Sequence, residues 1–161
     1  MGEDPTILAE KLKREGAKIV NFFKSLDDAE WEKVIYTGDE NWDIRNVLAH
    51  LVFSEKGFLF LIKGIIAGGE GSALDFNIDE HNSRKQKEYR DIAPNSLINL
   101  YVEYRNQMVD FVSSMKPEEL DIIGRHPFLG RTTVEEMIKM VYLHNQIHFR
   151  DVRRILDESN Q

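Results

Sequence analysis

The sequence predicts an all-α fold, a helical bundle, and three observations carry that expectation. Four long stretches repeat apolar residues at helical spacing, and a fifth, shorter one is dominated by charge. The residues between them are those that cap and end helices. No segment alternates convincingly with the period of a strand, and there is no internal repeat or low-complexity tract. Amphipathic helices in this number must bury their apolar faces against one another.

Residues 6–26 read as the first helix. Ile7, Leu8, Leu12, Ala17, Ile19, Val20, Phe22 and Phe23 form its apolar face, with Thr6 or Asp4 as cap and Gly16 as a mild weak point. Asp27-Asp28-Ala29-Glu30-Trp31 is a turn into a short segment, and 36–41, with Gly38, reads as loop. The second helix starts at Asp43, a good N-cap, with Trp42 placed to pack on Val47. Ile44, Val47, Leu48, Leu51, Val52, Phe58, Leu59, Ile62, Ile65 and Ile66 carry it to about Ala67. Gly68-Gly69-Glu70-Gly71-Ser72 ends it, and the connection to residue 78 is long enough to cross the end of a bundle. Residues 78–91 form the charged helix, whose mixed signs mark a solvated face. Pro94 restarts the chain, and Asn95 or Ser96 caps a helix to about Met115 built on Leu97, Leu100, Tyr101, Tyr104, Met108, Phe111 and Val112. Residues 116–132, with Pro117, Gly124, Pro127 and Gly130, read as loop with a short helical turn at 117–120. Thr132 or Thr133, each three before a glutamate, makes a capping box for the last helix, to about Leu156.

The 161 residues suit a single domain, 1–161. A net charge of −7 argues against a general nucleic-acid binder or a polybasic membrane binder. The absence of cysteine excludes disulfides, thiolate ligands and a cysteine nucleophile, and agrees with the expected cytoplasmic location. The longest apolar run, 57–68, is interrupted by Lys63 and too short to span a bilayer. The opening residues 1–6 are acidic and lead into a helix, so no secretory signal is expected. They match the bare Gly2/Thr6 myristoylation pattern, which Glu3 and Asp4 mark as a chance match.

The chemistry concentrates in histidines. His144 and His148 stand four residues apart, on one face of the last helix. They fall in the gap of the stripe Val134, Met137, Val141, Val152 and Ile155, so both should point into the core. Burying two imidazoles is costly unless their nitrogens are satisfied, by a metal or by ordinary core hydrogen bonds. On the second helix Asn46, His50 and Ser54 share one face. His81, on the charged helix, and His126, in the Pro/Gly loop, read as surface; His50 is the other histidine on a strongly apolar helix. Three neutral imidazoles leave open positions on a divalent ion and suit zinc, copper, iron or nickel. Spacing alone cannot bring His50 to the other two, since 94 residues separate it from His144.

The segment Asn41-Trp-Asp-Ile-Arg-Asn-Val-Leu-Ala-His-Leu51 resembles the W-[ST]-[VI]-[RK]-[DE]-V-L-A-H-L segment of the DinB-like (YfiT-like) metalloenzyme family, which supplies the first metal histidine there. His144-Asn-Gln-Ile-His148, with Asp151-Val152-Arg153, resembles that family's closing H-x-x-x-H-x-x-[QD]-[IV]-R, and 130–137 fits the approach to it. The resemblance implies an up-down-down-up four-helix bundle, commonly a homodimer. It implies a divalent metal, zinc or nickel before iron or manganese, held by His50, His144 and His148. Asp43 departs from the usual serine or threonine, Asn46 from the usual acid, and Asp151 from the usual glutamine. Asp151 either accepts an imidazole N–H or pairs with Arg150 or Arg154; Asn46, Ser54, Asn82 and Arg84 are further candidates around the site. The implied activity is transfer of a small-molecule thiol, of the bacillithiol or mycothiol kind, to an electrophile. A metal-dependent hydrolase is close behind, and no side chain stands out as a general base. The competing classes are a stress-response dimer that binds a metal or ligand without turnover, and a purely structural bundle.

Overall fold

Local capping fixes where each helix begins. The structure, a computed structural model, describes residues 3–160, so the Gly2 of the acylation pattern lies outside the described residues. Helix α1 spans Pro5–Lys24, with the Asp4 carboxylate accepting the Thr6 N–H at 2.8 Å. The short α2, Asp28–Trp31, is closed by a reciprocal box between Asp27 and Glu30. Helix α3, Ile44–Ile66, starts at Asp43, which accepts the Asn46 N–H while the Asn46 amide oxygen accepts the Asp43 N–H. The amide at 46 thereby fills the capping role that a carboxylate would fill.

Helix α4, Ile78–Tyr89, keeps its charged face in solvent and turns Gln86 inward. There Gln86 donates to the Asn46 carbonyl and accepts from the Asn46 side chain, which docks α4 on α3. Asn46 is therefore a docking residue. Helix α5, Pro94–Ser113, has Ala93 at its N-cap position with no side-chain cap, and Asn95 and Ser96 already lie inside the helix, because Pro94 occupies the first helical position with its φ already helical. Helix α6, Val134–Ser159, starts at Thr133, whose hydroxyl accepts the Glu136 N–H, and runs past Leu156.

Strands are present where loops were expected. β1, Val34–Tyr36, pairs antiparallel with β2, Trp42–Asp43. β3, Ile123–His126, pairs with β4, Gly130–Thr133, after a 3-10 turn at Pro117–Asp121. Each strand is too short to show alternation in sequence, and each hairpin is held by the helices it leans on. The α3–α4 connection is tied to β3: the Ser72 N–H donates to the Arg125 carbonyl and the Arg125 N–H to Glu70. At Gly71, with φ +100°, an added Cβ would sit 2.4 Å from the Arg125 carbonyl oxygen.

Two apolar clusters give the bundle its direction. One joins Leu8 and Leu12 to the C-terminal half of α3, the C-terminal half of α5 and the first half of α6. The other joins Ile19 and Phe23 to the N-terminal halves of α3 and α5 and to Val152 and Leu156. α1 therefore runs with α6 and against α3 and α5, the up-down-down-up arrangement. Arg105 crosses between the clusters and ties all four helices together. It donates to Glu55 of α3, to the Leu12 carbonyl of α1 at 2.8 Å and to Asn145 of α6 at 3.0 Å. No helix among the described residues is long and apolar enough to cross a membrane.

Candidate metal centre

The antiparallel packing of α3 on α6 brings His50 to His144 across 94 residues of sequence. The His144 Nε2 lies 2.9 Å from the Nε2 of His50 and 3.1 Å from that of His148. All three donor atoms lie within 4.8 Å of one another. A neutral imidazole nitrogen carries either a proton or a lone pair. One Nε2–H on His144 could satisfy only one of its two contacts, whereas a shared cation satisfies three lone pairs at once. Tetrahedral bonds of about 2.0–2.1 Å would put such nitrogens about 3.3 Å apart, a few tenths of an ångström beyond the two short contacts. The residues present thus fit a divalent ion.

The hydrogen-bond partners of His148 support the same reading. The Tyr36 hydroxyl donates to Asp151 at 2.6 Å and lies 2.8 Å from the His148 Nδ1. Its single hydrogen is spent on the carboxylate, so it must accept from a protonated Nδ1, and the His148 Nε2 is left as a bare lone pair. The Nδ1 atoms of His50 and His144 are buried with no hydrogen-bond partner. Aromatic packing holds those two rings instead: Trp42 and Phe53 stand 5.0 and 5.2 Å from the His50 ring, and Phe58 5.7 Å from the His144 ring.

Burial, reinforced by the His148 and His126 rings, lowers the His144 pKa to about 3. Burial lowers His148 to about 4, against the opposing pull of Asp151. His50 falls well below its ordinary value, first through burial and then through the neighbouring imidazoles. The cluster is thus uncharged at neutral pH, the state in which imidazole ligates a metal. Burial raises the Tyr36 hydroxyl above the ordinary tyrosine value, and its bond to Asp151 adds to the effect, so it stays protonated.

Two cavities reach the cluster, one at His50 and the other at His148. The first, about 410 Å³, includes His50, Ser54 and a wall of phenylalanines. The second, about 840 Å³, includes His148, Tyr36 and Trp42 beside Asp39, Glu40, Asp79, Glu80, Arg84 and Lys87. Asn82 lines both.

Of the candidates named from sequence, His50, His144 and His148 converge, Ser54 and Asn82 line cavities, and Asn46 serves the α3–α4 contact instead. Asp151 does take a supporting position, but through Tyr36 and not by accepting an imidazole N–H itself. Its nearest arginine contact is Arg150, at 4.0 Å. Trp42 lies against the His50 ring, a role beyond helix entry packing. His126, expected at the surface, is 2% exposed: its Nδ1 accepts the N–H groups of Phe128 and Leu129 in the β3–β4 turn, and its ring stacks on Phe58. His81 is partly exposed and stands apart from the cluster, on the wall of the first cavity. Sequence reasoning missed Tyr36. The run Val34-Ile35-Tyr36, β-branched and aromatic, was the signal that a strand could present it.

No curated protein matches this sequence. Several solved structures share its fold. An uncharacterised protein from Escherichia coli UTI89 is 10% identical over 99% of this chain and 96% of that one, with a TM-score of 0.74. The mycothiol-dependent maleylpyruvate isomerase is 16% identical over 92% of this chain, with a TM-score of 0.72; this chain spans 59% of the isomerase's length. The colibactin self-resistance protein ClbS, solved in complex with a dsDNA, is 15% identical over 95% of this chain and 96% of that one, with a TM-score of 0.68. At these identities the likeness is one of fold. The sequence itself matches the profile of the DinB superfamily over residues 11–152, and the chain belongs to that superfamily.

Proposed function

We propose that His50, His144 and His148 hold one divalent cation, and that the protein is a metal-dependent enzyme that transfers a small-molecule thiol to an electrophile. The observation that carries the metal reading is the convergence of three neutral imidazole nitrogens, one of them with its lone pair fixed by the Asp151–Tyr36–His148 chain. Three imidazoles favour zinc or nickel, with iron or manganese as weaker candidates. Such an ion supplies Lewis acidity, which favours the deprotonated form of a thiol or water bound to it.

The chain's own residues do the rest. Tyr36 and Asp151 orient His148 and hold the proton of its Nδ1. Trp42, Phe53 and Phe58 keep bulk water from the imidazoles. Asn82, shared by both cavities, is placed to orient whatever bridges them. The protein has no thiol of its own, so a thiol nucleophile must arrive as a cosubstrate. A fold relative named for its mycothiol dependence supports that choice over simple hydrolysis, which uses the same centre.

Elemental analysis of tag-free protein tests the centre. About one divalent ion per chain is expected in the wild type, lost in folded His50→Ala and His144→Ala variants. A wild type that stays metal-free after dialysis against zinc, nickel, iron and manganese sinks the reading. Turnover of thiols with chlorinated nitrobenzenes, dependent on the ion, is expected next. An ion without turnover on these, or on esters and amides, would instead make the protein a non-catalytic binding dimer of the stress-response kind. We further read it as a cytoplasmic homodimer acting on small molecules. Its net charge of −7 opposes a nucleic-acid surface, and retardation of duplex DNA at physiological salt would overturn that part.

A further inference from the structure

The cavity beside His50 is kept open by glycines whose conformational freedom is not needed. His50, Ser54, Gly57, Leu61 and Gly64 recur at steps of three and four along α3, and all five line it. From His50 to Gly64 the stripe advances by 14 helical rises, about 21 Å. Gly57 and Gly64 both lie within the helix, where glycine is among the least favourable residues. Neither has positive φ, and a Cβ built on either meets nothing within 4 Å. Gly124 differs, since a Cβ there would sit 2.5 Å from Ile65. What Gly57 and Gly64 provide is therefore the space above them.

That space is apolar and partly uncovered. Phe60, Phe76 and Phe128 line it while remaining 82%, 39% and 47% exposed. Glu70, His50 and His81 are its ionisable residues, and Ser54, one turn from His50, is the polar group nearest the metal centre along α3. A volume of about 410 Å³ falls in the range of cavities that enclose a small organic ligand. A contact surface for a second protein copy would not need a passage that reaches a buried imidazole.

We propose that this cavity binds an elongated, uncharged, apolar small molecule, aromatic or aliphatic in body, whose polar end reaches His50. The statement that this molecule is the electrophilic substrate rests on the proposed function; the binding of an apolar molecule does not.

The test is a fluorescence titration with the neutral probe N-phenyl-1-naphthylamine. It compares wild type, Gly57→Leu and Gly64→Leu, each zinc-loaded and zinc-free, with zinc content and melting temperature measured in parallel. The leucines fill the cavity from the helix side and improve helix propensity. The expected result is saturable binding of one probe per chain in the wild type, weakened at least tenfold in both variants. Their melting temperatures should be equal or higher, and their zinc content unchanged. Absence of saturable binding in the wild type, or undiminished binding in both variants, overturns the proposal. A protein that binds the probe but no zinc keeps this inference and loses the metal reading. One that binds zinc but no probe does the reverse.

Discussion

Tyr36 decides which nitrogen of His148 carries a proton. With its hydroxyl hydrogen committed to Asp151, it accepts from the His148 Nδ1 and directs the Nε2 lone pair at the cluster. Tyr36→Phe removes that constraint while keeping the ring against Trp42 and His148. Loss of such an outer partner typically costs about 10–100-fold in metal affinity. Calorimetric zinc titration of the variant should show a loss in that range, and an unchanged affinity would refute the relay. His126 gives a pH dependence. Burial lowers its pKa to about 4, against about 6.5 for the unfolded chain. Between these values the unfolded chain binds a proton that the folded chain does not. Its contribution to stability is therefore complete above pH 6.5 and is lost as the pH falls towards 4. One such proton changes unfolding free energy by about 1.4 kcal/mol per pH unit. His126→Phe keeps a ring beside Phe58 and removes the titration. Urea unfolding of zinc-free protein at intervals from pH 6.5 to 4.5 should show a slope shallower by about that amount; equal slopes would mean that His126 titrates alike in both states. At this scale each of the three converging histidines was conspicuous as an imidazole on an apolar helix face, but their grouping came from the family resemblance, since 94 residues separate His50 from His144. Tyr36 was not, because its partners lie 112 and 115 residues away.

At the level of elements, Arg105 has the greatest reach. Its side chain and that of Glu55 are 4% and 1% exposed, and its guanidinium contacts each of the other three long helices. Gly16 of α1 makes this possible: a Cβ there would lie 2.9 Å from the Arg105 Cγ. The glycine that looked like a weak point by propensity is the gap through which the arginine passes. Removing one partner of a buried pair leaves the other charge uncompensated, at a cost of about 3–5 kcal/mol, whereas replacing both by apolar residues often costs little. Arg105→Met should therefore destabilise by about that much, and adding Glu55→Leu should recover most of it. A double-mutant cycle in urea measures the coupling. Additive losses would mean that the two side chains act separately. The helices themselves were readable because the 3.6-residue period persists for many turns. The hairpins were not, since paired strands of two to four residues carry too little periodicity and take their order from the helices beneath. The pairing of Glu55 with Arg105 had no signal either, being a contact across 50 residues.

At the level of the whole molecule, the candidate centre joins two helices far apart in sequence, α3 and α6. Periodicity showed that these helices exist but not how they are arranged; that came from a likeness to known bundles, and the membership of the two apolar clusters bears it out. The arrangement has a thermodynamic consequence. An unfolded chain holds His50 and His144 far apart, so a cation that needs both binds the folded state alone. Binding then stabilises the fold by mass action, by about 2.7 kcal/mol at a free ion concentration of 100 Kd. For a chain of this size that is a rise of roughly 5–10 °C in melting temperature. Zinc added to chelator-stripped wild type should produce it. His50→Ala should abolish the rise, and so should His148→Ala, even though the first removes a ligand from α3 and the second from α6. Each variant is compared with itself, with and without zinc, so any cost of the substitution to the metal-free fold cancels. A rise of equal size in either variant would place the ion elsewhere on the surface. The same experiment orders the metals: among zinc, nickel, iron and manganese at equal free concentration, the ion the site prefers gives the largest shift, because the shift grows as the logarithm of the affinity.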